Sequence, residues 1–248
     1  IKFDLFVKKA KELNADYIAT GHYARLVDGK LLKAVDKNKD QSYFLAYVNR
    51  EVFKDVIFPL GELTKPEVRK IALEYDLVTA RKKDSTGICF IGERNFTKFL
   101  ENYLPNIPGD IINIDSKEVL GRHIGLMYYT IGQRRGLNIG GTKDRCFVVD
   151  KDLENNILYV AIGDENKYLY SNSAIIENFN FLTDERPLKC TCKFRYRQPD
   201  IITDVKYLDN NTLKLNYVKS KAVTPGQFCV LYNGDVCIGG GIIKEVIK

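Results

Sequence analysis

"ADYIATGHYARLVDGKLLKAV", residues 15–35, decides the architecture. Its first part reads as a short apolar strand, Tyr17 to Thr20, that closes on Gly21 and His22. An amphipathic helix precedes it in "IKFDLFVKKAKELN", residues 1–14, with Ile1, Leu5, Ala10 and Leu13 near one face. Helix, strand and then a glycine at the strand's C-terminal end is the grammar of an α/β sheet. Ligands in such sheets bind at strand ends. The second part is a hairpin, because Asp28-Gly29 between two apolar-rich runs favours a tight turn.

Outward from this stretch, residues 36–48 are polar and then apolar at helical spacing. "LTKPEVRKIALEYDL", residues 63–77, is a helix with Thr64 and Glu67 as a capping box and Pro66 in its first turn. Val68, Ile71 and Tyr75 are its expected buried stripe. A further helix is expected over residues 95–104, stopped by Pro105, Pro108 and Gly109. From Gly109 onward, short β-branched and aromatic runs alternate with turn residues such as Asn233-Gly234. That texture predicts barrels or sandwiches. "SNSAIIENFNF", residues 171–181, reads as a seam between two β modules.

The chain has 248 residues, 45% of them hydrophobic, enough for one to three domains. No apolar run reaches membrane-span length and no signal peptide is visible, so no membrane partner is expected. A net charge of +6 is compatible with a nucleic-acid partner and equally with an ordinary basic protein. The six cysteines include no C-x-x-C pair. Cys190 and Cys192 would share one strand face, which suits a core better than a structural metal. Such cysteine usage points to a reducing, cytoplasmic setting.

Six stretches carry candidate chemistry. In "ARKKDSTGICFIGERNF", residues 80–96, Cys89 lies among Arg81, Lys82, Lys83 and Arg94. It reads either as a small core hydrophobe or as a thiolate stabilised by those cations. In residues 20–25, His22 suits a phosphate or base contact or a hydrogen-bonded loop, and Gly21 lets a ring approach the backbone. Lys39, Asp40 and Gln41 form a polar cluster in which Asp40 or Ser42 could be only a helix cap. "YYTIGQRRGLNIGG", residues 128–141, interleaves Tyr128, Tyr129, Arg134 and Arg135 in a manner that suits RNA, without the lysine that ends a phosphate loop. In "KFRYRQPD", residues 193–200, a strand would put Arg195 and Arg197 on one face and Tyr196 on the other. Pro225-Gly226 is a type II turn signal, followed by Gln227.

The order of these motifs, with "LGELTKPEVRKIA" (60–72) and "CIGGG" (237–241), resembles the bacterial-type tRNA-specific 2-thiouridylase family over nearly the whole chain. The resemblance implies an α/β plus β chain. Residues 1–93 would be the C-terminal part of a PP-loop, adenine nucleotide α-hydrolase-like domain, 94–172 a small, mostly β central domain, and 173–248 a β-barrel. It implies sulfur transfer to position 2 of the wobble uridine of tRNA, with ATP and magnesium for activation. A cysteine desulfurase or relay protein would deliver the sulfur. On this resemblance Cys89 carries the persulfide and Gly21 contacts ATP. His22, Lys39, Asp40, Gln41, Arg195, Tyr196 and Gln227 contact tRNA. Cys146, Cys190, Cys192, Cys229 and Cys237 match no catalytic position and keep the core reading.

One departure stands out. The family's SGGVDS-type phosphate loop and its P-C-x-x-C-N stretch, which holds a second catalytic cysteine, are not in this sequence. The expectation is therefore of a shortened form, inactive alone, whose first ninety or so residues fold poorly by themselves. The alternatives are a tRNA-binding module without chemistry and a persulfide carrier fragment.

Overall fold

Asp28 and Gly29 both take positive φ, +49° and +73°, and fold β2 (Ala24–Val27) onto β3 (Lys30–Lys33) as the sequence predicts. This pairing comes from a computed structural model, which describes residues 2–82 and 99–248. The hairpin does not stand alone. Leu32 of β3 pairs with Val236 of β14 (Val236–Ile247), and Arg25 fixes the junction by donating to the Lys33 carbonyl and to Asp235, both at 2.7 Å.

Two compact units emerge. The first contains α1 (Leu5–Glu12), β1 (Ile18–Ala19), the hairpin, α2 (Ser42–Leu45), a 3-10 turn at Arg50–Asp55, β4 (Val56–Ile57) and α3 (Lys65–Glu74). β1 and β4 run parallel, with Ile18 opposite Val56. Six further strands close a barrel: β13 (Phe228–Asn233), β10 (Lys189–Lys193), β11 (Ile201–Tyr207), β12 (Leu213–Lys221), β9 (Tyr170–Phe181) and β14, which returns to β13. Val7, Ile18, Ala24, Leu31, Leu45, Phe53 and Phe58 share one apolar core with Leu182, Val230, Tyr232 and Cys237 of the barrel segment. The second unit holds a mixed sheet ordered β6 (Val119–His123), β5 (Gly109–Asn113), β8 (Ile157–Ile162), β7 (Cys146–Asp152), in which β5 and β8 are parallel. Ile111, Leu126, Tyr129, Val148 and Leu158 form its core.

The capping box forms, with the Thr64 N–H and hydroxyl both donating to Glu67 Oε2 at 2.7 Å. Two expectations change. α1 buries Val7, with Phe3 and Ala10 partly covered, while Leu5 and Leu13 are exposed, because the shared core selects the face. No residue of α3 is buried among the described residues, and Ile71 and Tyr75 are exposed. Residues 171–181 carry the expected seam, since the boundary between the two compact units falls between Asn172 and Ser173. These residues lie within the twelve-residue strand β9, whose pairing with β14 runs from Ser173↔Ile247 to Phe181↔Gly239. Of the helix expected over residues 95–104, residues 95–98 lie outside the described residues, while 99–100 are helical and 101–103 continue as turns, with the Leu104 N–H donating to the Leu100 carbonyl at 2.9 Å.

Candidate nucleic-acid interface

Asp40 organises the surface around it by facing inward. It is buried, and its Oδ1 accepts the backbone N–H groups of Ala34 and Ser42, both at 3.1 Å. Its Oδ2 accepts the Ser42 hydroxyl at 3.0 Å. The same Ser42 oxygen lies 3.1 Å from the Tyr232 hydroxyl on barrel strand β13. Lys33 lies over the Tyr232 ring, 4.4 Å from its centre, and reaches Asp200 at 2.6 Å. The Asp40 carboxylate thus makes internal bonds, between the neighbouring Lys39 and Gln41. Both neighbours are partly exposed.

Gln41 ties this loop to the strand-end loop. Its N–H donates to the Tyr23 carbonyl at 2.8 Å, and its Oε1 accepts the Tyr23 N–H at 3.0 Å. Gly21, one residue past Thr20, is exposed. A Cβ added there would meet only Leu60 Cδ1, at 3.8 Å, so the backbone at this strand end is uncrowded.

The His22 ring lies 5.6 Å from Phe3 and 5.9 Å from Phe58, and its Nδ1 is hydrogen-bonded to Thr20 Oγ1. Burial, with a smaller contribution from Lys2, lowers its pKa from 6.5 to about 4. The imidazole is thus neutral at pH 7, a polar contact and not a cation. The unfolded chain binds the proton more tightly, so His22 supports folding fully above pH 6.5. That support is lost as the pH falls from 6.5 towards 4. Urea denaturation at pH 7.5 and pH 5 should show a loss that shrinks in His22→Gln; an equal loss in both proteins would refute the assignment.

Arg195, Tyr196 and Arg197 are not on a strand. β10 ends at Lys193, and a turn follows, closed by Phe194 N–H to Gln198 Oε1 at 2.8 Å and by Gln198 N–H to the Arg195 carbonyl at 3.1 Å. Arg197 takes φ +67°, and its guanidinium lies over the Tyr196 ring at 5.4 Å. Both arginines are exposed and flank the tyrosine. Tyr196 also meets Tyr43 at 6.4 Å and Phe44 at 4.5 Å, centre to centre. The Tyr43 hydroxyl donates to the Phe228 carbonyl at 2.9 Å, next to Gln227, after a turn in which Gly226 has the φ of +81° that type II requires. Tyr43 also lies near enough to Arg195 to feel its charge. Lys39, Gln41, Arg195, Tyr196 and Gln227 are thus joined through α2 and its neighbours, although the sequence scatters them. A cleft of about 490 Å³ beside them is lined by Lys37, Lys39, Lys193, Arg197 and Asp200.

Other expectations resolve differently. Cys89 lies outside the described residues. Cys146, Cys190, Cys192, Cys229 and Cys237 are buried, and burial pushes the Cys190 thiol up to about 12. In the second unit Arg134 and Arg135 are exposed, but Tyr129 is core and the Tyr128 hydroxyl donates to the Leu104 carbonyl at 2.9 Å. Phe44, Tyr47 and Phe228 were not singled out by sequence, because aromatics at helical or strand spacing read as core. Among the described residues no helix is long and apolar enough to cross a membrane.

Comparison with known proteins agrees with this layout. Three family models match in order: a tRNA methyl transferase HUP domain at residues 1–93, a tRNA methyl transferase PRC-barrel domain at 97–162, and an aminomethyltransferase beta-barrel domain at 171–243. The fold is accordingly a HUP, PP-loop-type domain, a PRC-barrel-like middle domain and a C-terminal β-barrel domain. The chain is 53% identical to the tRNA-specific 2-thiouridylase MnmA of Mycoplasmopsis synoviae over 99% of its own length and 67% of that protein. It is 57% identical to MnmA 1 of Geobacillus kaustophilus, covering all of this chain and 70% of the relative. Against MnmA of Ureaplasma parvum it is 53% identical over 66% of the relative, so the chain spans about two thirds of the length of these proteins. With more than half of its residues shared along almost its whole length, the chain belongs to the tRNA-specific 2-thiouridylase MnmA family.

Proposed function

We propose that this chain provides the tRNA-binding face and the sulfur-carrying cysteine of a 2-thiouridylase, which transfers persulfide sulfur to position 2 of the wobble uridine. The observation that supports this is the chain of contacts from Tyr196, under the Arg197 guanidinium, to Tyr43 and Phe44 of α2, and from Tyr43 to the Phe228 carbonyl beside Gln227, next to a cleft lined by Lys39 and Arg197, which together make the candidate face. Cations hold phosphates, and aromatic rings and guanidinium planes stack on bases. Asp40 is a positioning residue under that face. His22 offers a neutral contact, and Gly21 an open strand end for the adenine ring of ATP. ATP, with magnesium, supplies the activation that makes the 2-oxygen a leaving group.

Cys89 would act as the thiol that receives sulfur from a cysteine desulfurase or relay protein. Its neighbours Arg81, Lys82, Lys83 and Arg94 favour the anionic form. The terminal sulfur attacks C2 and the activated oxygen departs. A second thiolate then cleaves the sulfur–sulfur bond, leaving a disulfide with Cys89 and the sulfur on the base. A cytoplasmic setting belongs to this reading, since free thiols are kept reduced there. So does a division at 1–93, 94–172 and 173–248, which the three matched segments support.

The test is mass spectrometry of the chain after incubation with a cysteine desulfurase and cysteine, paired with tRNA titration. One added sulfur on Cys89 is expected, absent in Cys89→Ser, with tRNA affinity unchanged within twofold. Sulfur elsewhere, or none, would remove Cys89 from its role. Failure to bind tRNA would remove the interface.

A further inference from the structure

α2 turns its inner face, Ser42 and Leu45, into the core and leaves Phe44 57% exposed, with Tyr47 just beyond its end at 45%. Phe228, at the start of β13, is 41% exposed. Large apolar rings held open to water in a group usually mark an interaction surface. These are held firmly. Asp40 and Ser42 anchor the start of α2, and Asn180 Nδ2 donates to the carbonyls of Ala46 and Val48 at 3.0 and 2.9 Å beyond its end. The rings form two linked pairs, Phe44 on Tyr196 at 4.5 Å and Tyr47 on Phe228 at 5.2 Å. Tyr43 joins them, packing edge-on against Phe44 at 5.6 Å and donating to the Phe228 carbonyl.

Charge decides between occupants. The adjoining cleft carries Lys37, Lys39, Lys193 and Arg197 against the single carboxylate of Asp200, which Lys33 and Lys193 already engage at 2.6 and 3.8 Å. Such a cleft favours a polyanion, and rings beside it favour one whose bases are unpaired. We propose that Phe44, Tyr47 and Phe228 form a stacking platform for unpaired bases of an RNA loop whose phosphates follow the cleft of Lys37, Lys39, Lys193 and Arg197. The proposal rests on the tRNA reading above and adds residues that the reading does not contain.

The experiment titrates this chain with a stem-loop RNA carrying 2-aminopurine at successive loop positions, and with the same RNA made abasic at each position. Position-specific quenching is expected in the wild type. Phe44→Ala combined with Phe228→Ala should remove it and weaken binding about tenfold. The abasic RNA should bind the wild type about tenfold more weakly and be indifferent to the substitutions. Phe44→Trp should retain quenching, and a cooperative melt near that of wild type shows that the altered proteins are folded. If the RNA binds with steep salt dependence but neither substitutions nor abasic sites change affinity by more than twofold, the platform is overturned while the tRNA reading stands. If the RNA does not bind at all, both fall. Self-association that the substitutions abolish, with RNA affinity unchanged, would give the rings to a second copy of the chain and overturn the proposal.

Discussion

Asp40→Ala is expected to cost about 3 kcal/mol of stability, because it strands two backbone N–H groups and a hydroxyl that the buried carboxylate now accepts. For a chain of this size that lowers Tm by roughly 10 °C. Asp40→Asn keeps an oxygen for the two N–H groups and should lose only about 1 kcal/mol. Exposed Lys37, by contrast, should tolerate alanine within about 0.5 kcal/mol. The folded Asp40→Ala protein should also bind tRNA more weakly than its stability explains, since Lys39 and Gln41 lose their anchor. Denaturant melts paired with tRNA titrations check both parts. A cost as small as that of Lys37→Ala would show that Asp40 does not hold this loop.

Gly239→Ala should be at least as severe. Gly239 takes φ +147°, and a Cβ there would stand 2.0 Å from the Asn180 carbonyl oxygen and 2.9 Å from the Phe179 ring. Neither neighbour is a flexible tip, so β9 and β14 would have to part. Strain and overpacking together cost about 4 kcal/mol. The damage should travel to the RNA face, because the side chain of the same Asn180 holds Ala46 and Val48 behind the exposed rings. Gly234, in the β13–β14 turn, is the control. It also has positive φ, +59°, but open space around it, so alanine there should cost only about 1–2 kcal/mol of backbone strain. Thermal melts of the two variants side by side would expose an error if their costs were equal.

Local chemistry was legible in the sequence where a few adjacent residues determine the outcome. Asp28-Gly29 set a turn, and Thr64 with Glu67 set a helix start, because the partners lie within four positions. The buried pair Cys190 and Cys192 followed from strand alternation alone. What long-range pairing decides was not legible. Nothing near residue 32 announces a partner at residue 236, and nothing around Val7 shows that the barrel's Val230 and Tyr232 share its core. At the candidate interface, motif order located Lys39, Gln41, Arg195, Tyr196 and Gln227. It could not reveal that Asp40 points inward or that Arg195 and Arg197 flank a turn, since both depend on where β10 and β13 lie.

The junction of β3 with β14 sets a schedule for making the protein. The hairpin ends at Lys33, yet its outer partner Val236 follows about two hundred residues later. At ordinary rates of synthesis the free edge of β3 waits roughly ten to forty seconds for Val236 to emerge. Unpaired strand edges invite foreign strands. Lys30 and Lys33 on β3, and Arg25 on β2, put positive charge along that waiting edge. The same basic character that suits a nucleic-acid partner is thus also expected to discourage nascent chains from pairing with one another.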